Sequence, residues 1–92
     1  MKHFVVMLPM INKEMNQQVR ADHLAYMVAL EEKGKIFVKG RFVNGSGGMV
    51  IYRAKTIEEA EELATHDPYV IHGARSYEIR EWFIVEKGRE YE

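Results

Sequence analysis

Short runs of β-branched and aromatic residues alternate along the chain with two longer segments that have an amphipathic helical pattern. The apolar runs predict four strands, over His3–Met10, Lys35–Val43, Met49–Ala54 and Tyr77–Val85. Between them, the spacing predicts a first helix from about Lys13 to Lys33, capped by Asn12 or Asn16 and ended by Gly34. A Thr56–Glu59 capping box predicts a second helix, which ends near His66 because Pro68 prevents its continuation. The last residues, Lys87–Glu92, are predicted to be frayed.

This order of elements, β-α-β-β-α-β, is typical of the ferredoxin-like α+β fold, with one antiparallel sheet and two helices on one of its faces. The strands are more apolar than a solvated second face allows, as in Phe4–Leu8, Ile36–Val38 and Trp82–Val85. Two sheets packed face to face would bury this excess. The sequence therefore predicts a homodimer.

Composition narrows the class of protein further. The length of 92 residues predicts one domain over residues 1–92, with a single core. With 13 basic and 14 acidic residues and no basic block, nucleic acid is not an expected partner. No apolar run approaches the ~20 residues of a membrane span, and no signal peptide is evident, so we expect a cytoplasmic protein without a membrane partner. The chain has no cysteine, and its histidines lack metal-ligand spacing, so neither a metal nor a cofactor is expected.

Two polar residues on the first helix are candidates for chemistry. If Leu24 marks the centre of the apolar face, Ala21, Met27 and Val28 lie within about 60° of it, while Arg20 lies near −40° and His23 near −100°. Buried polar side chains are costly unless they have partners. Arg20 is predicted either to bind a substrate carboxylate or to lie along the surface with its head group in water or paired with Glu31.

The segment His66-Asp67-Pro68-Tyr69 ends the second helix and supplies a carboxylate. A histidine and a carboxylate that meet in a cleft can transfer protons, so His23 and Asp67 form either a general acid–base pair or a structural hydrogen bond between the helices. Tyr69 is predicted to line a ligand pocket or to act as an amphipathic plug. Ser46, in the hairpin segment Asn44–Gly48, is predicted to contact a ligand or simply to form the turn.

The ordered set Arg20-x-x-His23-Leu24, Gly34, Gly40, a glycine-bearing hairpin, Glu59-Ala60 and Asp67-Pro68-Tyr69 resembles the YciI-like (YCII-related) family. The resemblance covers almost the whole chain. It implies a dimeric α+β barrel built from two ferredoxin-like halves, and an active site whose histidine and aspartate correspond to His23 and Asp67.

The resemblance also implies a class of function. One branch of the family acts as a dehydrochlorinating lyase on a chlorinated aromatic-derived substrate, and relatives by fold include muconolactone isomerases. We therefore expect a lyase or isomerase that acts on a small anionic molecule through His23 and Asp67, with Arg20, Tyr69 and Ser46 binding substrate. The alternative is a non-catalytic module for ligand binding or dimerisation.

Overall fold

The computed structural model describes residues 1–85, which form a four-stranded sheet and three helices. In chain order the elements are β1 (Lys2–Pro9), α1 (Lys13–Glu32), β2 (Ile36–Arg41), β3 (Gly47–Ala54), α2 (Ile57–Thr65), α3 (Pro68–Ile71) and β4 (Glu78–Trp82). The strands lie in the order β2-β3-β1-β4, and every neighbouring pair is antiparallel. The predicted ferredoxin-like α+β fold is confirmed. The expected fraying of Lys87–Glu92 lies outside the described residues.

Burial alternates along the central strand β1. Phe4, Val6 and Leu8 are at most 1% exposed and face the helices, whereas Val5 and Met7 are half-buried on the other side. The main core cluster places Val6 and Leu8 against Met27 of α1 and neighbouring residues. The prediction of a strand covered on both faces is therefore not met within a single chain, where only the helix side is fully covered.

Helix α1 begins at the predicted cap, since the side-chain oxygen of Asn12 accepts a hydrogen bond of 3.0 Å from the Met15 amide. The helix is rotated from the predicted orientation. Its buried apolar residues are Val19, Met27 and Leu30. Leu24 is 41% exposed, and Val28 is 53% exposed. The buried face is centred about 100° around the helix from Leu24. The choice of Leu24 as its centre was wrong, and His23 lies nearer the middle of the buried face than predicted.

Strands β2 and β3 are joined by a glycine-rich hairpin, and both differ in length from the prediction. β2 ends at Arg41 rather than Val43, and β3 begins at Gly47 rather than Met49. Gly47 has a φ of +134°, and a Cβ at this position would overlap the carbonyl oxygen of Leu8. The first residue of β3 must therefore be glycine, where it pairs with Pro9 at the end of β1.

Helix α2 begins at the predicted cap, with the Thr56 hydroxyl accepting from the Glu59 amide at 3.1 Å. The Glu59 carboxylate in turn accepts from the Lys55 amide, one residue before the cap, and from the Lys35 ammonium, which lies 3.0 Å away. This pairing lowers the pKa of Glu59, with the Lys35 hydrogen bond as the main cause.

The short helix α3 follows α2 directly and was not predicted. Asp67 caps it by accepting a 2.9 Å hydrogen bond from the Tyr69 amide, and Pro68 occupies its first turn. Proline ends a preceding helix but suits the start of a new one, where its missing N–H costs nothing. Pro68 therefore ends α2 and begins α3.

The side of the sheet away from the helices carries exposed apolar side chains, and we call it the open sheet face. It includes Val38, which is 50% exposed, and Trp82, which is 45% exposed, together with Phe37, whose ring meets that of His3 edge-on at 4.9 Å. Within residues 1–85, no helix is long and apolar enough to cross a membrane.

Candidate active site

A histidine from α1 and an aspartate from the α2–α3 junction are in contact on the helix side of the sheet. The Nδ1 atom of His23 lies 2.8 Å from an Oδ1 atom that belongs to the fully buried Asp67. The His23 side chain keeps 12% of its surface exposed. With Asp67 ionised, its oxygens only accept hydrogen bonds, so Nδ1 carries the proton and Nε2 is the free ring nitrogen.

The same Asp67 oxygen also accepts from the Tyr69 amide, so the carboxylate is fixed from two sides. Tyr69 then contributes its side chain. Its ring stacks on the imidazole of His23 with centroids 4.0 Å apart and planes 17° from parallel. Stacking on one side and a hydrogen bond at Nδ1 together restrict the orientation of the histidine ring.

Arg75 lies over the ring of Tyr69, with its guanidinium carbon 4.2 Å from the centroid. Its Nε donates a 2.8 Å hydrogen bond to the side-chain oxygen of Asn16, and the amide nitrogen of Asn16 lies 3.5 Å from the Tyr69 hydroxyl. Two groups stacked about 4 Å above the same face of a ring would overlap. The Tyr69 ring therefore lies between His23 and Arg75.

These side chains line a cavity of about 340 Å³ between α1, the β2–β3 hairpin and the segment after α3. This volume lies at the lower end of the range for small-molecule sites, about 300–1,000 Å³. Four cationic side chains contribute to the lining, namely Arg20, Lys39, Arg41 and Arg75. No aspartate or glutamate among the described residues lines it, since Asp67 lies behind His23. The cavity is therefore suited to an anion.

Two phenols lie near Asp67 on the core side of the site, the half-buried Tyr26 and the fully buried Tyr52. The Tyr26 hydroxyl donates a 2.6 Å hydrogen bond to the Leu63 carbonyl, and burial together with the Asp67 charge raises the pKa of Tyr26 to about 12. The same two causes, burial first, raise the pKa of Tyr52. Both phenols therefore stay neutral near Asp67 over the physiological pH range.

Of the residues predicted to bind substrate, the structure brings Arg20 and Tyr69 to the cavity. Arg20 is exposed at its rim and is not paired with Glu31, which lies 3.7 Å from Lys39 instead. Ser46 does not line the cavity. Its backbone is held by Asn44 and Met10 in the hairpin, while its neighbours Gly45 and Gly47 line the wall. The turn interpretation of Ser46 fits this position better than ligand contact.

Arg75 and Asn16, like the rim cations Lys39 and Arg41, line the cavity but were not predicted as site residues. Asn16 was considered only as a helix cap, and Arg75 follows α3 in an irregular segment that has no periodicity to indicate burial. Among residues 1–85, no group of three or more histidine, cysteine, aspartate or glutamate side chains is arranged to hold a metal ion.

The fold and this site define a small α+β domain with a hydrogen-bonded histidine–aspartate pair beside a cation-lined cavity. The chain belongs to the YCII-related family, whose domain description matches residues 1–83, so the predicted family is confirmed. It is 31% identical over 77 residues to the uncharacterized protein YjpA of Bacillus subtilis (strain 168), a match that covers 84% of this chain and 91% of YjpA.

A solved structure of similar fold is 5-chloro-2-hydroxyhydroquinone dehydrochlorinase (TftG) from Burkholderia phenoliruptrix AC1100, in complex with 2,5-dihydroxybenzoquinone. The TM-score is 0.76 and the identity is 22%, over 88% of this chain and 93% of that one. This similarity establishes the shared fold.

Proposed function

We propose that this protein is an enzyme that transfers a proton on a small anionic organic molecule, in an isomerisation or an elimination. His23 is the general acid–base, and Asp67 orients the imidazole and balances its charge when it is protonated. The observation that carries the proposal is the 2.8 Å contact between His23 and the buried Asp67 at the wall of a cation-lined cavity.

The chemistry of the site supports this reaction class. With Nδ1 bound to Asp67, Nε2 is the nitrogen available to take a proton from a ligand and to return it elsewhere. Isomerisation and elimination both begin with such a transfer, and both develop negative charge that nearby cations stabilise. The dehydrochlorinase of similar fold is consistent with an elimination, since dehydrochlorination is the loss of a proton and a chloride ion.

Proton abstraction can be measured before the substrate is known. The protein is incubated in D₂O with a panel of small carboxylates and lactones that carry a C–H next to a carbonyl, and deuterium incorporation is followed by ¹H NMR. We expect exchange with at least one compound. We expect His23→Asn, whose amide N–H replaces Nδ1–H towards Asp67, to lower the exchange rate by about 10²–10⁴-fold.

The matched control is His72→Asn, because His72 is exposed and does not line the cavity. It is expected to retain the rate of the wild type. Exchange by His23→Asn at the wild-type rate would contradict the proposal. Binding of panel compounds without exchange would favour the alternative function, a non-catalytic ligand-binding module.

We further propose that two copies of the chain associate through the open sheet face. This face carries Phe37, Val38 and Trp82, each at least 41% exposed, and a second surface hollow that Phe83 also lines. Contiguous exposed apolar patches of this kind mark interfaces. Because the candidate active site lies on the helix side, such a dimer leaves the cavity of each protomer accessible.

A further inference from the structure

Arg75 is a buried cation without a carboxylate partner among residues 1–85. It is only 9% exposed, and within the described part of the chain no acidic side chain lies within ion-pair distance of it. Buried charges in proteins are almost always paired. Burial lowers the pKa of Arg75, as expected for a guanidinium removed from water, and the charge of Asp67, which lies beyond ion-pair distance, opposes this effect only in part. Its burial therefore calls for a compensating anion.

The guanidinium is held in place on three sides. Asn16 accepts from its Nε, the ring of Tyr69 packs against its plane, and Gly48 leaves the room that Nη1 occupies. A Cβ on Gly48 would lie 3.0 Å from Nη1. The hydrogen bond to Asn16 uses one of five N–H donors, so four donors remain on a side chain whose orientation is already set.

We propose that Arg75 anchors the ligand by binding a carboxylate, or an equivalent planar oxyanion, through the free edge of its guanidinium. A planar fork of fixed orientation matches the two oxygens of a carboxylate. This assignment differs from the predicted role of Arg20, which is exposed at the rim together with Lys39 and Arg41. Those rim cations attract anions over a distance, whereas Arg75 fixes one oxyanion at short range.

The inference rests on the proposed function only in placing the ligand in the same cavity, and it requires no reaction. The first test is a titration of the full chain with benzoate, and with benzamide as the neutral isostere, followed by calorimetry and by the Nε–Hε NMR signal of Arg75. That signal is assigned by its loss in Arg75→Lys. We expect benzoate to bind and to shift this signal, and benzamide to bind at least about tenfold more weakly.

The second test compares variants. Arg75→Lys keeps the charge but not the fork, and we expect it to weaken benzoate binding about tenfold or more. Arg20→Gln is expected to weaken binding less, by an amount that disappears at high salt because the side chain is exposed. Wild-type affinity in Arg75→Lys, or equal binding of benzoate and benzamide, would overturn the assignment.

The two proposals fail separately. His23→Asn is expected to lose deuterium exchange while still binding benzoate more tightly than benzamide. If benzoate binds through Arg75 but no panel compound exchanges deuterium, the anchor stands and the proton-transfer reaction does not. Because the comparison of benzoate with benzamide is made by calorimetry on the wild type, that test remains valid even if Arg75→Lys is poorly folded.

Discussion

The buried carboxylate of Asp67 has two roles, since it caps α3 and also contacts His23 in the candidate site. One of its oxygens accepts from the Tyr69 amide and from His23, which links the start of α3 to the middle of α1. Around it, Tyr26 and Tyr52 supply neutral phenols in a region where a second negative charge would be unfavourable. The site is therefore electrostatically asymmetric, with cations lining the cavity and one anion behind His23.

The raised pKa of Tyr26 predicts a specific dependence of stability on pH. In the unfolded chain the phenol ionises near pH 10, whereas in the folded protein its pKa is about 12. A raised folded-state pKa gives stability that is complete below pH 10 and is lost as the pH rises towards 12. We expect Tyr26→Phe, which removes the hydrogen bond to Leu63, to cost about 0.5–1.5 kcal/mol at pH 7.

Above pH 10 the difference in unfolding free energy between wild type and Tyr26→Phe is expected to shrink. In this range the Tyr26 phenol ionises in the unfolded wild type but not in the folded protein, which favours unfolding, and the variant has no such group. Urea denaturation at several pH values between 7 and 11.5 measures the difference. Tyr77→Phe, at another half-buried tyrosine that packs against the same core, provides the comparison. A difference that stays constant across the range would contradict the assignment.

At the scale of elements, the sequence predicts the four strands and the helices α1 and α2, but not all of the strand ends, because apolar periods and caps are local signals. The segment from Asp67 to Arg75 was not predictable in the same way. Pro68 ends one helix and begins another, and only the three-dimensional contact with α1 shows why Asp67 and Tyr69 are buried. The rotation of α1 was missed because Leu24 and Val28 are apolar yet exposed, which periodicity alone does not reveal.

The steric requirement for glycine at the start of β3 can be tested by substitution. Gly47→Ala is expected to lower the free energy of unfolding by roughly 2–5 kcal/mol, because a Cβ would overlap the Leu8 carbonyl oxygen and the residue has a positive φ. Gly40→Ala is the matched control, since a Cβ there meets nothing within 4 Å, and we expect a change below about 1 kcal/mol. Equal unfolding midpoints in urea for the two variants would contradict a steric requirement for glycine at Gly47.

At the scale of the whole molecule, the sheet separates two surfaces with different properties. The helix side contains the core and the cation-lined cavity, whereas the open sheet face carries apolar side chains that a single chain leaves in water. The sequence indicated the second surface through the excess of apolar residues in its strands. The sequence did not indicate which of these residues would remain exposed. Their exposure depends on a bulge between Ile36 and Val38, where the register of β2 against β3 shifts.

Association through the open sheet face predicts that Val38→Asp shifts the protein from dimer to monomer, because it places a charge in the apolar contact. Sedimentation velocity at micromolar concentration measures the change. Val43→Asp is the control, because Val43 is 93% exposed and lies beyond the end of β2. We expect this control to remain dimeric. If the wild-type protein sediments as a monomer, the proposed dimer is wrong.

The segment from Asp67 to Arg75 has a further consequence. It supports His23 at one end, and it contributes a ring and, at the other end, a guanidinium. It is bound to the chain after β1, because Arg75 forms a β-bridge with Met10 and the Ala74 carbonyl accepts from the following amides. Under the proposed function, one short, contiguous stretch of sequence thus supplies the carboxylate behind His23, the stacked ring and the anchoring guanidinium. Substitutions confined to this stretch would then alter ligand preference while leaving the strands and the two longer helices unchanged.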